Sequence, residues 1–244
     1  MSNLWIGTSG YSYAEWKGPF YPEETPDSQM LSYYGERFNT VEINYTFYRT
    51  PTVRVLQGWA KETPESFLFS LKAPRRITHE MRLRDAADPL AFFCDTAKAL
   101  KGRLGTLLFQ LPPFLKKDVP RLEDFLHQMS PSYRAAFEFR NPSWLSDEVF
   151  ECLQRFEVAL CIADHDEYST PFQSTAPFGY LRLRKSEYSD EELAALAQRI
   201  RGAMTGWRDA FVYFKHEAAG MGPLYAARLR ALLGEPSVEQ TPAA

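Results

Sequence analysis

The chain has 244 residues, 45% hydrophobic and 24% charged, with a net charge of −3. That length suits one α/β barrel of about 250 residues better than two ordinary domains. The slight acidity excludes a surface built to coat polyanions at large, so any affinity for anions must be local. Cys94, Cys152 and Cys161 are an odd set without a CxxC pair, which excludes a disulfide framework or a zinc knot. The start MSNLWIGTSG lacks a basic region followed by an apolar stretch, and no run approaches the ~18 apolar residues of a membrane span. A reduced, cytoplasmic protein with no membrane partner is expected.

Eight short apolar, β-branched or aromatic runs then recur at roughly thirty-residue intervals, nearly all finishing in a charged or hydrogen-bonding side chain. They are LWIGTSG from Leu4, TVEINYTF from Thr40, FLFSLKA from Phe67, TLLFQL from Thr106, AAFEFRN from Ala135, ALCIADH from Ala159, YLRLRK from Tyr180 and AFVYFKH from Ala210. Between them lie segments of helical period: Met30 to Arg37, Val53 to Lys61, Asp85 to Lys101, Val119 to Met129, Ser146 to Arg155, Ser189 to Met204 and Gly222 to Leu233. In the third of these Ala86, Leu90, Phe93, Ala97 and Leu100 form one stripe, with Asp85 read as its cap. Ser189 followed by Glu192 reads as a capping box. The crossover from Asp166 to Pro177 is only weakly helical.

Strand alternating with helix implies a parallel sheet, and eight such units imply an α/β (β/α)8 TIM barrel as a single domain over residues 1–234. Residues 235–244, rich in Pro and small polar side chains, are predicted to form a flexible C-terminal tail. The first loop, from Tyr11 to Ser28, is long and aromatic, and is expected to fold over one side of the barrel mouth.

In such barrels chemistry sits at the carboxyl ends of the strands. Side chains alternate along a strand, so Glu42 groups with Asn44, Glu138 with Arg140, Arg182 with Arg184, and Tyr213 with Lys215, while Lys72, Gln110 and Asp164 contribute singly. Charges with period two near the strand ends should point into the mouth, because the other face is covered by helices. Three carboxylates, Glu42, Glu138 and Asp164, face five cations, Lys72, Arg140, Arg182, Arg184 and Lys215. Polar residues inside barrels also form ion pairs that merely close the top layer. Buried charge is costly unless paired, however, and the surplus of cations calls for an anionic ligand. Arg suits bidentate recognition of phosphate or carboxylate, and the last two strands are where barrels often hold phosphate.

Glu138 lies ~7 Å along the strand from Arg140, which favours its ionised form and casts it as base or acceptor, leaving Glu42 freer to act as an acid. No Walker loop, GxGxxG after a strand or GxSxG elbow is present, and GTSG at Gly7 to Gly10 reads as a strand-to-loop turn. Glu42 and Glu138, from strands two and five, should lie too far apart for a retaining glycosidase. A metal site has little support: His79, His127, His165 and His216 are the histidines, with His127 on a helix and His165 and His216 each beside a charged neighbour that a regular strand aims the other way. No cofactor is expected, a divalent metal being the minor alternative. Among the aromatics near the mouth, Tyr11, Tyr13, Trp16, Tyr45, Phe47, Tyr48 and Trp144, about half should be packing and the rest are available to stack on sugar or base rings.

The stretches GTSGYSYAEWKGPFYP from Gly7, FNTVEINYTFYRTP from Phe38, LKAPRRITH from Leu71, LGTLLFQLPPF from Leu104 and FEFRNPSW from Phe137 together resemble the YecE-like family, domain of unknown function 72. The resemblance runs from the first strand to about Leu233. It implies a TIM barrel and brings no established reaction, although likeness of the barrel mouth to apurinic endonucleases points by analogy toward nucleic-acid processing. Family-like positions are Thr8, Ser9, Tyr11, Tyr13, Trp16, Glu42, Asn44, Lys72, Arg76, His79, Gln110, Glu138, Arg140, Trp144 and Asp164. The chain departs from the pattern at Asn141, where His is common, and at KHEAAG from Lys215, which replaces an Asn-rich stretch.

The expectation that follows is an enzyme using acid–base chemistry on a small anionic, phosphorylated sugar- or nucleotide-like substrate. Glu138 is the base, Glu42 or Asp164 its acid or orienter, Lys72 and Arg140 stabilise developing negative charge, and Arg182 and Arg184 bind the anion. The remaining candidates for substrate contact are Thr8, Ser9, Tyr11, Tyr13, Trp16, Asn44, Arg76, Gln110, Trp144, Tyr213 and Lys215. Two alternatives are a metal-dependent phosphodiesterase or nuclease and a non-catalytic module binding single-stranded nucleic acid or nucleotides.

Overall fold

In the computed structural model, which describes residues 3–235, all eight runs become strands of one closed parallel barrel. They are β1 (Asn3–Ser9), β2 (Thr40–Ile43), β3 (Leu68–Lys72), β4 (Leu104–Gln110), β5 (Ala135–Glu138), β6 (Ala159–Asp164), β7 (Phe178–Leu183) and β8 (Asp209–Phe214). Each pairs with the next, and β8 returns to β1 with Leu4 opposite Ala210 and Thr8 opposite Phe214. The helical segments appear where the periodicity puts them: α1 (Met30–Gly35), then α3 (Val53–Lys61), α4 (Ala87–Ala97), α5 (Val119–His127), α6 (Asp147–Arg155), α7 (Asp190–Ala203) and α8 (Met221–Leu233). A short unpredicted turn of helix, α2 (Tyr45–Tyr48), follows β2 directly. The expected tail lies outside the described residues apart from Glu235.

Ala86, Leu90, Phe93, Ala97 and Leu100 are all buried against the barrel, as their spacing requires. Asp85 does not cap α4: it sits in a left-handed conformation, φ 49°, and the helix opens after Ala86 with no side-chain cap. Nor does α4 reach Lys101. It ends at Ala97 and the chain continues as a 3-10 segment broken at Lys101, φ 52°. The capping box of α7 is complete, the Ser189 hydroxyl accepting from Glu192 N and Glu192 Oε2 accepting from Ser189 N. The weakly helical crossover holds no helix at all. Instead Thr175 accepts from Leu160 N and donates to Val158 O, and Phe172 stacks on Trp207, so side chains tie down what a helix would otherwise cover.

The barrel interior is layered. At the amino ends of the strands Trp5 stacks on Phe211, with Phe178 edge-on to the same ring. Above it lie Leu108, Ala136, Cys161, Tyr180 and Tyr213, all fully buried. Tyr213, expected to touch substrate, belongs to this middle layer. Its hydroxyl is 2.8 Å from both Thr40 Oγ1 and Ser70 Oγ. The Thr40 proton is committed to Leu68 O at 2.9 Å. Tyr213 therefore donates to Thr40 and accepts from Ser70, a chain that spans β8, β2 and β3 beneath the mouth. Tyr213→Phe should leave the Ser70 hydroxyl without an acceptor and cost about 1–2 kcal/mol, lowering Tm by about 2–8 °C in a calorimetric scan. An unchanged Tm would show that the chain is not formed.

Candidate functional site

The top layer is built by residues that close their strands. β1 ends at Ser9, β2 carries Glu42, β3 ends at Lys72, β4 at Gln110, β5 at Glu138, and β7 carries Arg182 one residue before its end. The registers Ser9 with Glu42 and Gln110 with Glu138 place these side chains level on the inner face. Just past the strand ends Arg140, Arg184 and Lys215 continue the same faces and are half-buried.

At the centre is Arg182, 1% exposed, between Glu42 and Glu138, both 0% exposed. Arg182 Nε and Nη2 donate to Glu42 Oε1 at 3.1 and 2.9 Å, and Nη1 donates to Glu138 Oε2. Glu42 also accepts from the Ser9 hydroxyl and, at Oε2, from Tyr180 OH at 2.6 Å. Asn44 Nδ2 donates to Ser9 Oγ at 2.6 Å and so fixes that hydroxyl toward Glu42. Glu138 Oε1 accepts from Gln110 Nε2 at 2.7 Å and from Arg140 Nε at 3.2 Å. One guanidinium thus joins two carboxylates that the strand count sets well apart.

Burial alone would raise both carboxyls, but Arg182 outweighs it at Glu42, helped by the bonds from Ser9 and Tyr180, and Arg182 with Arg140 outweighs it at Glu138. Glu42 is lowered, and Glu138 is held well below the usual carboxylate range. Glu138 is ionised, as its neighbour Arg140 leads one to expect, and Glu42, expected to be freer and acid-like, is instead held ionised by Arg182. Both are fixed anions with every oxygen occupied. Arg182, expected to bind substrate anion, is consumed in the same way.

Lys72 is different. Its Nζ donates to Gln110 Oε1 at 2.8 Å, lies 4.1 Å from the centre of the Phe47 ring, and makes no ion pair with a described residue. Burial and the neighbouring Arg182 pull its pKa down to about 7. Lys215 is lowered in the same direction by burial, Arg184 and Arg182, against the pull of Glu217, 3.9 Å away, and of Glu42. Arg184 makes no ion pair among the described residues and feels Arg182, Glu138 and Arg140. His79 holds Thr78 Oγ1 at 2.9 Å from Nδ1 and stands edge-on to Phe47. Burial and then Lys72 lower it to about 4, so it is uncharged at neutral pH.

Several other sequence candidates fall outside the cup. Asp164 is in register with Leu183 while Ala163 faces Arg182, so its carboxylate points outward, 3.8 Å from Lys185. Thr8, one residue before the inward Ser9, turns outward too, donating to Gly10 O and bonding Tyr34 OH. Trp16 is packed among Tyr13, Phe20 and Tyr21, with its Nε1 on Glu217 O. Trp144 stacks on Phe139, with its Nε1 on Leu115 O. Both are buried supports. Arg76 is exposed in an outer cleft of about 630 Å³ beside Tyr48 and Phe92. Asn141, one of the departures from the family pattern, spends its amide on Pro113 O and Ser143 N.

The first loop does wall one side of the mouth: Tyr13 OH donates to Ser9 O, Tyr21 OH to Tyr11 O, and Trp16 reaches the segment after β8. Between this loop and α3 lies a cleft of about 390 Å³ lined by Tyr11, Tyr13, Asn44, Tyr45 and Trp59. Tyr45, 50% exposed, is the aromatic of this cleft most open to solvent, while Tyr48, 80% exposed and edge-on to Phe47, lies in the outer cleft with Arg76. Two residues were missed in the sequence. Tyr180 sits two before Arg182 on the same face, so the alternation that found Arg182 could have found it. Tyr168, half-buried and electrostatically coupled to Glu138, Arg140 and Arg184, comes from the helix-free crossover, where no periodicity marks it.

The profile of the family described as "Protein of unknown function DUF72" matches residues 5–244. The UPF0759 protein YunF of Bacillus subtilis is 32% identical over 157 residues, covering 61% of this chain and 54% of that protein. The UPF0759 protein YecE of Escherichia coli is 32% identical over 144 residues, covering 59% and 50%. The chain thus spans about half the length of the curated relatives it matches. A crystal structure of a DUF72 family protein from Thermotoga maritima superposes with TM-score 0.86 and 28% identity over 96% of this chain and all of that one. A DUF72 family protein from Enterococcus faecalis, 18% identical with TM-score 0.82 over 99% of each chain, shares the fold.

Removing Arg182 strands two buried anions, and Arg182→Met should cost about 3–5 kcal/mol in urea unfolding. The sign with pH reverses as well. In the wild type the lowered carboxyls contribute stability above their unfolded value near 4.5, and that contribution is lost as pH falls below it. In Arg182→Met burial is left with less opposition, so the deficit should shrink between about pH 7 and 5 as protonation relieves the stranded charge. A deficit that grew over that range would contradict the triad.

Proposed function

The chain belongs to the DUF72 family, and from that premise we propose that its barrel mouth is the active site of an enzyme that binds a small anionic substrate and moves a proton within it. The supporting observation is one of charge. Glu42 and Glu138 are both taken up by Arg182, and of the four further cations at the mouth Arg140 shares Glu138, Lys215 has Glu217 at 3.9 Å, and Lys72 and Arg184 have no ion pair among the described residues. Phosphate or carboxylate supplies the missing negative charge, and Arg140, Arg184 and Lys215 are its anchors. The fixed carboxylates keep Arg182 and Arg140 in place, so the cations face the ligand already ordered.

Proton transfer then falls to Lys72 instead of Glu138. A group whose pKa lies near ambient pH serves as both acid and base, whereas a carboxylate held far below its usual range does neither well. Neutral His79, facing the same cations, is available to accept or donate a hydrogen bond at substrate. The metal-dependent alternative has weaker footing. No three His, Cys, Asp or Glu side chains among the described residues form a metal-binding group, and the two mouth carboxylates have no free oxygen.

Sulfate, dianionic across the neutral range, tests this reading by calorimetry. Arg184→Gln and Lys215→Gln should each weaken sulfate binding about tenfold. Wild-type affinity should fall severalfold from about pH 6 to 8 as Lys72, facing Arg182, Arg140, Glu138, Glu42 and His79, loses its proton. That pH dependence should flatten in Lys72→Met. Sulfate, phosphate and pyrophosphate all failing to bind at millimolar concentration would overturn the proposal.

A further inference from the structure

We propose that Lys72 is a covalent nucleophile that captures the carbonyl of a phosphorylated aldehyde or ketone as an imine, the phosphate resting on the outer cations. The inference rests on the anion-binding reading and names its substrate class.

Geometry carries it. Lys72 closes β3 at the carboxyl end of the barrel and is 9% exposed. Around it every carboxylate is already spoken for. Gln110 stands between the amine and the nearest of them, giving its NH2 to Glu138 Oε1 and its carbonyl oxygen to Lys72 Nζ. The amide holds the lysine in place without supplying a counter-ion. Were residue 110 an acid, the amine would be a paired ammonium. As built, an ammonium at this point is buried beside Arg182 and Arg140, and the Gln110 carbonyl oxygen, the Phe47 ring face and the more distant charges of Glu138 and Glu42 do not offset that cost. Burial and like charge therefore leave the free amine well populated at neutral pH, where an ordinary lysine has only ~1 in 10³ of its molecules deprotonated.

The Nζ lone pair attacks the carbonyl carbon. A C–N bond forms, the C=O π pair moves to oxygen, and that oxygen takes a proton to give a carbinolamine. In that step the nitrogen gives up a proton as the oxygen gains one; a second proton, from solvent, then reaches the hydroxyl, and the nitrogen lone pair expels it as water, leaving an iminium on the substrate carbon. Arg140, Arg184 and Lys215, half-buried just past the ends of their strands, are the groups that would hold the phosphate.

Dihydroxyacetone phosphate is the probe: the full chain is incubated with it, reduced with borohydride, weighed intact and mapped by peptide mass spectrometry. The expected result is a single stable adduct on Lys72, formed at pH 7 about tenfold or more faster than on exposed lysines such as Lys98. Its rate should level off above about pH 7 while surface labelling keeps climbing. The adduct should vanish in Lys72→Met. In Gln110→Glu, which gives the amine a carboxylate, labelling at pH 7 should drop and return at higher pH, a response that mere loss of structure would not give. Adducts scattered by exposure, with Lys72 unmodified, overturn the inference. If calorimetry shows the probe bound and displaced by sulfate, only the imine falls. If the probe neither binds nor labels, the anion-site reading falls with it.

Discussion

Arg182 reaches across the barrel to Glu42 on one side and Glu138 on the other, and the chemistry of the mouth is set by that contact. A buried triad of this kind is poor evidence for stability, since desolvating three charges offsets most of their attraction. Its consequence is electrostatic. It removes both carboxylates from service, closes the interior above the Tyr213 hydroxyl chain, and leaves Lys72 and Arg184 without an ion pair among the described residues. Lys72 owes its depressed pKa to Arg182 second only to burial. The same residue that appeared from its position on β7 to be an anion-binding arginine is the reason other residues can bind one.

Fold and site were unequally legible in the sequence. Eight runs with polar ends were enough to identify the barrel, because strand length, crossover length and the apolar helix stripes all point one way. Alternation along a strand grouped Glu138 with Arg140 and placed Arg182 inward, and both hold. It misjudged Asp164 by a single residue: Ala163 is the inward position, and a slip of one in a period of two exchanges the faces. Thr8, singled out by the family-like motif and not by alternation, lies one residue before the inward Ser9 and turns outward. Tyr213 failed by depth, since alternation tells which face a residue takes but not which layer. Partnership was illegible altogether. Nothing in the spacing of Glu42, Glu138 and Arg182 shows that one guanidinium satisfies both acids, and without that fact Glu138 reads as a base. The aromatic residues of the first loop divided much as composition suggests, with Trp16 and Tyr21 packed beneath and Tyr11 and Tyr13 on the cleft wall.

The scaffold explains why a site of this sort can be held so accurately. Glu42, Lys72, Gln110, Glu138 and Arg182 sit on or at the ends of hydrogen-bonded strands, where the barrel fixes backbone positions. Arg140, Arg184, Lys215 and Tyr168 come from the segments beyond, where the ring opens to water. Rigid anions below and adaptable cations above are the arrangement expected where a charged ligand must enter, be oriented and leave. Gln110 is the hinge of the electrostatics: a neutral donor to Glu138 and a neutral acceptor for Lys72, it links the two charges while keeping them apart.

The central claim, that Lys72 stands in the mouth without a counter-ion, is tested most directly by titrating its side chain. Lysine-selective 13C labelling, with the Lys72 resonance assigned by its loss in Lys72→Arg, gives the midpoint by NMR. A midpoint near 7 is the result predicted here. A midpoint close to the ordinary lysine value of 10.5 would mean that the amine has found an anion the geometry denies it.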